Sequence, residues 1–301
     1  MRHSTGKVQT RDVEIAYETF GDPSGRPLLL VMGLASQMLH WHEDLCRLLV
    51  DRGFHVVRFD NRDIGLSTHL TDAPPADVLA ALGGDTSSAS YTLDDLADDI
   101  VGLLDGLGVA DPVHVVGASM GGMIAQTLAV RHPDRVASLT SIMSTPSPTI
   151  GAPTEAATAV LLAPPATDRE QAVQRTLGAY RVIGSPGYAL DEAWLADIAG
   201  QSYDRGYDPP GVARQLLAVA ASGDRTAALA GITAPTLVIH GEDDPLVQLE
   251  GGRATAAAVP GAELMVLPGM GHNLPRELWP TFVDAIVAVA DRAEQPRRRT
   301  A

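Results

Sequence analysis

Residues 114–126, HVVGASMGGMIAQ, join an apolar strand-like run to a helix-like run through a glycine-rich turn. Small residues at the joint allow a sharp turn, so that the side chain of Ser119 projects above a sheet. The first amides of the following helix would face any anion formed there. The alternative is that Ser119 is one small residue in a structural turn. The five-residue pattern alone does not distinguish a nucleophile from a structural turn residue. The distinction depends on whether partner residues for a nucleophile occur elsewhere in the chain.

The segments around this joint alternate between strand-like and helix-like patterns. Continuous apolar runs such as PLLLVMG (27–33), FHVVRFD (54–60) and VASLTSIMS (136–144) are typical of strands buried on both faces of a sheet. Helical patterns separate them, and KVQTRDVEIAYETFGD (7–22) predicts an N-terminal hairpin. We therefore predict the α/β class, with a mostly parallel central sheet flanked by helices.

The alternation stops at about residue 145 and resumes at about 231 with APTLVIHGEDDP. Between these points the apolar residues fall at helical spacing, as in REQAVQRTLGAYRVIG. We predict one core formed by residues 1–144 and 231–292, with a helical cap inserted at 145–230. The polar, basic end, residues 293–301, is predicted to be a disordered tail.

Composition restricts the classes of partner. The formal net charge of −15 over 301 residues argues against nucleic acid or an anionic membrane surface. Cys46 is the single cysteine, so no intrachain disulfide forms, and we expect it to be a small buried hydrophobe.

No apolar run resembles a signal peptide or a membrane span, which favours a cytoplasmic location. We expect no metal, nucleotide or flavin cofactor, since no corresponding motif is present.

A serine nucleophile needs a base and an acid that orients it. Of the nine histidines, His272 lies in VLPGMGHNLP (266–275), where a strand leads into a glycine-rich loop that ends at the histidine. Such a loop can carry a side chain to the sheet edge at which Ser119 lies. Three acids follow the strand TLVIHG, and we predict Asp244, the residue before Pro245, rather than Asp243. The chain order is then serine, acid, histidine.

A hydrolytic serine also needs amide donors for the oxyanion of its tetrahedral intermediate. One donor should be the amide of Met120, the residue after the nucleophile. The loop after the early strand, LLLVMGLAS, supplies the other. Gly33 permits close approach there, and we predict the Leu34 amide, with the amide of Gly33 as the rival.

With these elements in place, the chain resembles an α/β-hydrolase with a helical cap. The segments LLLVMG, FDNRDIGLST, GASMGG, GEDDP and PGMGH carry this resemblance over most of its length. It is similar to actinobacterial methylesterases that act on anthracycline-type polyketides. The His-Gly common in the oxyanion strand is Met32-Gly33 here. The resemblance implies Ser119 as nucleophile, Asp244 and His272 as its partners, and Leu34 and Met120 as oxyanion donors.

The expected function is hydrolysis of a carboxylic ester through an acyl-enzyme, with a small apolar molecule as substrate. A methyl ester of a bulky apolar acid is one such substrate. The alternatives are a lactonase, a C–C bond hydrolase or a cofactor-free perhydrolase, or a lyase, cyclase or ligand receptor on this scaffold. For the substrate pocket we predict Gly33, Trp41 beside the oxyanion loop, and Trp194 in the cap. The sequence does not indicate an oligomeric state.

Overall fold

The computed structural model describes residues 3–295, which form one eight-stranded sheet with helices on both faces. The strands are β1 (His3–Gln9), β2 (Glu14–Phe20), β3 (Arg26–Val31), β4 (Phe54–Phe59), β5 (Val113–Ala118), β6 (Val136–Ile142), β7 (Thr236–Gly241) and β8 (Glu263–Leu267). The helices are α1 (Glu43–Val50), α2 (Val78–Leu82), α3 (Leu93–Gly106), α4 (Met120–Arg131), α5 (Glu155–Leu161), α6 (Arg169–Ile183), α7 (Glu192–Gly206), α8 (Pro209–Ala221), α9 (Thr226–Leu229), α10 (Leu249–Ala258) and α11 (Trp279–Glu294).

The sheet has the order β1-β2-β4-β3-β5-β6-β7-β8. The first two strands form the predicted antiparallel hairpin, and β2 also pairs antiparallel with β4. All other neighbouring strands are parallel. Every residue of β5 and β7 is buried, as expected for parallel strands covered by helices on both faces. The predicted α/β class with a mostly parallel sheet is confirmed.

The strand order reverses at β3, which lies between β4 and β5. From β3 the chain passes to β4 on one side, and from β4 it crosses to β5 on the other side of β3. The loops that follow β3 and β5 therefore run in opposite directions. In open α/β sheets a crevice forms at such a switch point, outside the carboxyl ends of the strands. The two segments singled out in the sequence, the turn at Ser119 and the loop at Gly33, both lie at this crevice.

Helices α5 to α9 lie between β6 and β7, and the predicted cap boundaries at residues 145 and 230 fall in the same interval. The stretch 72–90, between β4 and α3, contains the short helix α2, in which Leu79 is 79% exposed. At the other end, Ala293 and Glu294 belong to α11 and not to a tail, since the Glu294 carboxylate accepts a hydrogen bond from Arg26. Residues 296–301 of the predicted tail lie outside the described residues. None of the helices within 3–295 is long and apolar enough to cross a membrane.

The segment after β4, residues 60–68, forms polar contacts with α3 on one side and with α8 on the other; we call it the β4 loop. The Arg62 guanidinium forms two hydrogen bonds of 2.6 and 2.7 Å with Asp99 of α3, which holds the loop to the core. Asp63 pairs in the same way with Arg214 of α8, at 2.7 and 2.8 Å. Both pairs are buried, so each charge depends on its partner.

The adjacent residues Asp98 and Asp99 give a matched test of this anchoring. We predict that Asp99→Asn lowers the free energy of unfolding by about 3 kcal/mol, because the Arg62 charge stays buried without a counter-charge. Asp98 is 49% exposed and pairs with Arg131 and His132 at the surface. Asp98→Asn should therefore change stability by less than about 1 kcal/mol. Urea unfolding measures both, and equal effects would contradict a structural role for the buried pair.

Candidate active site

Ser119 lies at the turn between β5 and α4 in a backbone conformation that residues with a Cβ rarely adopt, with φ 57° and ψ −123°. Its amide donates to the carbonyl of Ile142 over 2.9 Å, which ties the turn to β6. A Cβ on Gly117 would overlap the backbone of Gly121, and a Cβ on Gly121 would overlap the carbonyl of Val31. The small residues of the motif are therefore required by close backbone contacts on both sides of the serine.

His272 brings its imidazole to the serine from the loop after β8. Its Nε2 lies 2.9 Å from Ser119 Oγ, and its Nδ1 lies 2.7 Å from Asp244 Oδ2. With Nδ1 donating its proton to the carboxylate, Nε2 is free to accept the hydroxyl proton of the serine. The backbone amide of His272 also donates to the carbonyl of Ile183 at the end of α6, over 2.7 Å. The end of α6 thus helps to fix the loop that carries His272.

Asp244 is held so that one oxygen faces the imidazole. Its Oδ1 accepts the amides of Leu246 and Val247, each at 2.9 Å, and its side chain is fully buried. Asp243, the rival in the sequence, instead accepts the amide of Gly269 at an exposed position. The structure therefore places Asp244, and not Asp243, against His272.

Another histidine, His240 at the end of β7, is buried beside Asp244. Its Nε2 lies 2.7 Å from the carbonyl of Val247 and 3.8 Å from Asp244 Oδ2. Burial lowers the pKa of His240, so its neutral form is favoured. It donates to the backbone of the acid loop and leaves the closer carboxylate contact to His272.

Gly33 lies directly against the serine. A Cβ at this position would lie 3.0 Å from Ser119 Cβ and 3.5 Å from Ser119 Oγ, so a larger residue would crowd the hydroxyl. The carbonyl of Met32 accepts a hydrogen bond from Asn61 Nδ2 over 3.0 Å. That carbonyl and the amide of Gly33 belong to one peptide unit, so Asn61 also fixes the direction of the Gly33 amide. Leu34 and Met120 line the same space above Ser119.

Beside the serine lies a cavity of about 1570 Å³, lined by residues from the segment 145–230 and from the loops at the carboxyl end of the sheet. Ser119 and His272 are part of its wall, and most other lining residues are aliphatic or aromatic. Burial lowers the pKa of His40 to about 4 and raises that of Tyr180 to about 12. Both residues line the cavity and are neutral near pH 7. Because most of the lining is apolar, the cavity is suited to a largely apolar molecule.

The predicted pocket residues have different positions. Gly33 and Trp194 line the cavity, whereas Trp41 is buried in the core. The carbonyl of Trp41 accepts a hydrogen bond from Arg58, and the Trp41 side chain belongs to the buried hydrophobic cluster that includes Leu45 of α1 and Phe282 of α11. Its neighbour His42 faces the cavity instead, between the rings of Trp194 and Trp279 at centroid distances of 5.3 and 4.9 Å.

Among the described residues, one group of side chains brings together atoms that could ligate a metal: Asp63, His69 and Asp208. Arg214 already donates to both oxygens of Asp63 and lies 3.4 Å from Asp208 Oδ2. His69 Nδ1 is 2.8 Å from the same oxygen of Asp208. The four residues form a charge network that joins α8 and the residue before it to the segment after β4, and the Arg214 guanidinium takes the place that a cation would have.

The β4 loop was visible in the sequence as FDNRDIGLST, but its individual roles were not. Asn61 donates to the loop after β3, and Asp60 accepts the amide of Met38 at 2.7 Å and a guanidinium N–H of Arg205 at 3.1 Å. The signal that could have found them is a cluster of polar residues directly after an apolar strand. Gln215 of α8, which contacts both loops, carries no such signal.

The sequence matches the alpha/beta hydrolase fold family over residues 26–275, and the chain belongs to this family. The resemblance to polyketide methylesterases is also confirmed. Rhodomycin D methylesterase of Streptomyces peucetius is 28% identical over 306 residues, which cover 94% of this chain and 97% of the relative.

Two further proteins are similar to this chain. A bifunctional esterase/perhydrolase of Acinetobacter calcoaceticus is 26% identical over 286 residues, covering 90% of this chain and 94% of the relative. The enol-lactonase of Burkholderia xenovorans LB400 superposes with a TM-score of 0.71 at 23% identity, over 95% of this chain and all of that one. The last similarity concerns the fold alone.

Two glycine substitutions test the packing of the serine turn. We predict that Gly121→Ala lowers kcat at least about tenfold and destabilises the protein, because the new methyl group displaces the backbone of β3. Gly178→Ala on α6 is the matched control, since nothing lies within 4 Å of its added Cβ. That change should leave kcat unaltered and raise stability by about 0.5–1 kcal/mol. Full activity of the Gly121 variant would contradict the tight turn.

Proposed function

We propose that this chain is a carboxylic ester hydrolase that uses Ser119 as nucleophile, His272 as general base and Asp244 as the acid that orients it. One observation supports this most strongly. The hydrogen-bonded chain from Asp244 through His272 to Ser119 ends in the wall of a large apolar cavity. We assign residues 145–230 as the cap that selects the acid part of the ester.

In the acylation half, Nε2 of His272 takes the proton of Ser119 as Oγ attacks the ester carbonyl carbon. Asp244 holds the imidazole in the required tautomer and stabilises the imidazolium that forms. The tetrahedral intermediate collapses when His272 returns the proton to the leaving alkoxide. An alcohol departs, and the acyl group remains bound to the serine.

The negative charge of the tetrahedral intermediate develops on the former carbonyl oxygen. We assign the amides of Leu34 and Met120 as its donors, from the loop after β3 and the N-terminus of α4. Met120 is the first residue of α4, so its amide is free of an intrahelical partner. In the second half-reaction, His272 deprotonates water, which attacks the acyl carbon and releases the acid and the free serine.

We propose as substrate a methyl ester of a bulky, neutral, largely apolar acid. The cavity of about 1570 Å³ exceeds the range of about 300–1,000 Å³ that is usual for small-molecule sites. Its lining is mostly apolar, and a methyl ester leaves nearly all of that space to the acid. The similarity to a rhodomycin D methylesterase supports the same class. A net charge of −15 agrees with a neutral small molecule rather than nucleic acid as partner.

A substrate panel tests this assignment. We expect methyl esters of polycyclic aromatic acids to have kcat/KM at least about 100-fold above that of methyl acetate, since the larger acid buries more apolar surface in the transition state. Product acid and methanol are measured by chromatography. A preference for small acyl groups would contradict the proposed substrate. Turnover of lactones or C–C substrates with no ester hydrolysis would contradict the proposed reaction.

Neighbouring aspartates provide a matched test of the acid. We predict that Asp244→Asn lowers kcat by about 10⁴-fold, because an amide at this position favours the wrong tautomer of His272. Asp243→Asn alters an exposed carboxylate that bonds the Gly269 amide and should change kcat by less than about threefold. Circular dichroism of both variants serves as the check that each one is folded. Equal losses of activity would contradict the assignment of Asp244.

A further inference from the structure

Gln215 of α8 connects the cap to the loop that follows β3. Its side chain is completely buried, its Oε1 accepts the amide of Ala35 over 3.2 Å, and its Nε2 donates to the carbonyl of Arg62 over 2.9 Å. Because a backbone amide can only donate and a carbonyl can only accept, these contacts fix the orientation of the side-chain amide. Gln215 is not among the residues that line the cavity, so it does not contact the substrate there.

The loop that Gln215 contacts is a four-residue turn from Gly33 to Ser36, closed by a hydrogen bond of 3.3 Å from the Ser36 amide to the Gly33 carbonyl. Its third residue, Ala35, has φ 59°, the left-handed conformation that a type II turn requires at this position. Glycine is usual there, because a Cβ makes this conformation unfavourable. Ala35 therefore needs an external contact to hold it.

The hydrogen bond from Ala35 to Gln215 is such a contact, because it holds the central peptide of the turn. If this peptide rotates, Ala35 can relax to a negative φ, and the Leu34 carbonyl reverses its direction. Leu34, whose amide we assign to the oxyanion, directly precedes this peptide. The Leu34 amide itself belongs to the Gly33–Leu34 peptide of the same turn, and loss of the turn geometry would leave the direction of that peptide unfixed. We therefore expect the direction of the Leu34 amide to depend on Gln215.

We propose that Gln215 is a positioning residue for the oxyanion loop, which couples docking of the cap helix α8 to the alignment of the Leu34 amide. This inference rests on the proposed ester hydrolysis. It differs from a purely structural role, because the loss of Gln215 should weaken binding of the transition state more than binding of the substrate.

The first test is Gln215→Met, which keeps the length of the side chain and removes both hydrogen bonds. We expect kcat to fall about tenfold or more with KM changed less than about threefold, a smaller loss than the 10²–10³ seen when an oxyanion donor is deleted. The affinity for a trifluoromethyl ketone that forms a tetrahedral adduct should fall by the same factor. The affinity for the product acid should not change.

A second substitution tests whether the effect passes through the turn. Ala35→Gly removes the unfavourable Cβ at positive φ, so the double variant Ala35→Gly, Gln215→Met should recover most of the lost kcat. Gln201→Leu on α7 is the control, since Gln201 is exposed and its side chain donates a hydrogen bond to Asp197 on the same helix. It should leave kcat and KM unchanged. Should the Met variant not fold, Gln215→Glu serves instead. Burial favours the neutral carboxyl group, which can accept from Ala35 and donate to the Arg62 carbonyl, so kcat should stay within about threefold of that of the wild type.

The outcomes separate the two proposals. Active wild-type enzyme with an equally active Gln215→Met variant overturns the positioning role alone. A rise in KM that Ala35→Gly does not reverse also overturns it, because that pattern reports loss of cap packing. Wild-type enzyme that hydrolyses no ester overturns the proposed function and the role of Gln215 with it. The positioning role predicts that kcat falls in Gln215→Met and recovers in the double variant with Ala35→Gly.

Discussion

The rest of the site depends on one backbone constraint, the forced conformation of Ser119. A φ of 57° and ψ of −123° place the hydroxyl above the sheet, and this conformation persists only because the surrounding contacts leave no alternative. On one side, Gly121 fits against the Val31 carbonyl, and on the other, Gly117 fits against Gly121 itself. Strand β3, strand β5 and helix α4 must approach this closely for the serine to reach His272. The same approach brings Gly33 against the serine.

The cap is attached by polar contacts close to this turn. Asp60 and Asp63 of the β4 loop receive Arg205 and Arg214 from α7 and α8, while Arg62 anchors the same loop to α3. Such buried ion pairs contribute little more to the free energy of unfolding than well-packed apolar residues would. They do, however, fix one arrangement of the segments that they join. Here the arrangement includes the oxyanion loop, because Asn61 supports its first peptide unit. The polar contacts therefore determine how the cap is positioned over the serine.

Much of this arrangement could be predicted from local patterns. The parallel sheet follows from apolar runs separated by helical spacing. The serine turn, the Asp-Pro loop and the glycine-rich histidine loop each have a short signature, and their order along the chain indicates one class of hydrolase. Asp244 and His272 come together because both follow neighbouring parallel strands, β7 and β8, whose carboxyl ends meet at one edge.

What could not be predicted depends on side-chain direction and on contacts between distant segments. Trp41 precedes α1 beside the oxyanion loop, but nothing local shows that its ring turns into the core while His40 and His42 face the cavity. Gln215 lies 180 residues from Ala35, and its pattern is that of any buried helix position. The extent of α11 was missed because Glu294 is stabilised by Arg26 from the other end of the chain. Such pairings exist only once the fold has formed.

The central claim is that Ser119 is an activated nucleophile, and covalent labelling tests it most directly. The protein is treated with a fluorophosphonate, digested and analysed by mass spectrometry beside Ser119→Ala. The account predicts one phosphonyl adduct, on the peptide that contains Ser119, and no adduct in the variant. An unlabelled wild-type protein, or equal labelling of the variant, would contradict it.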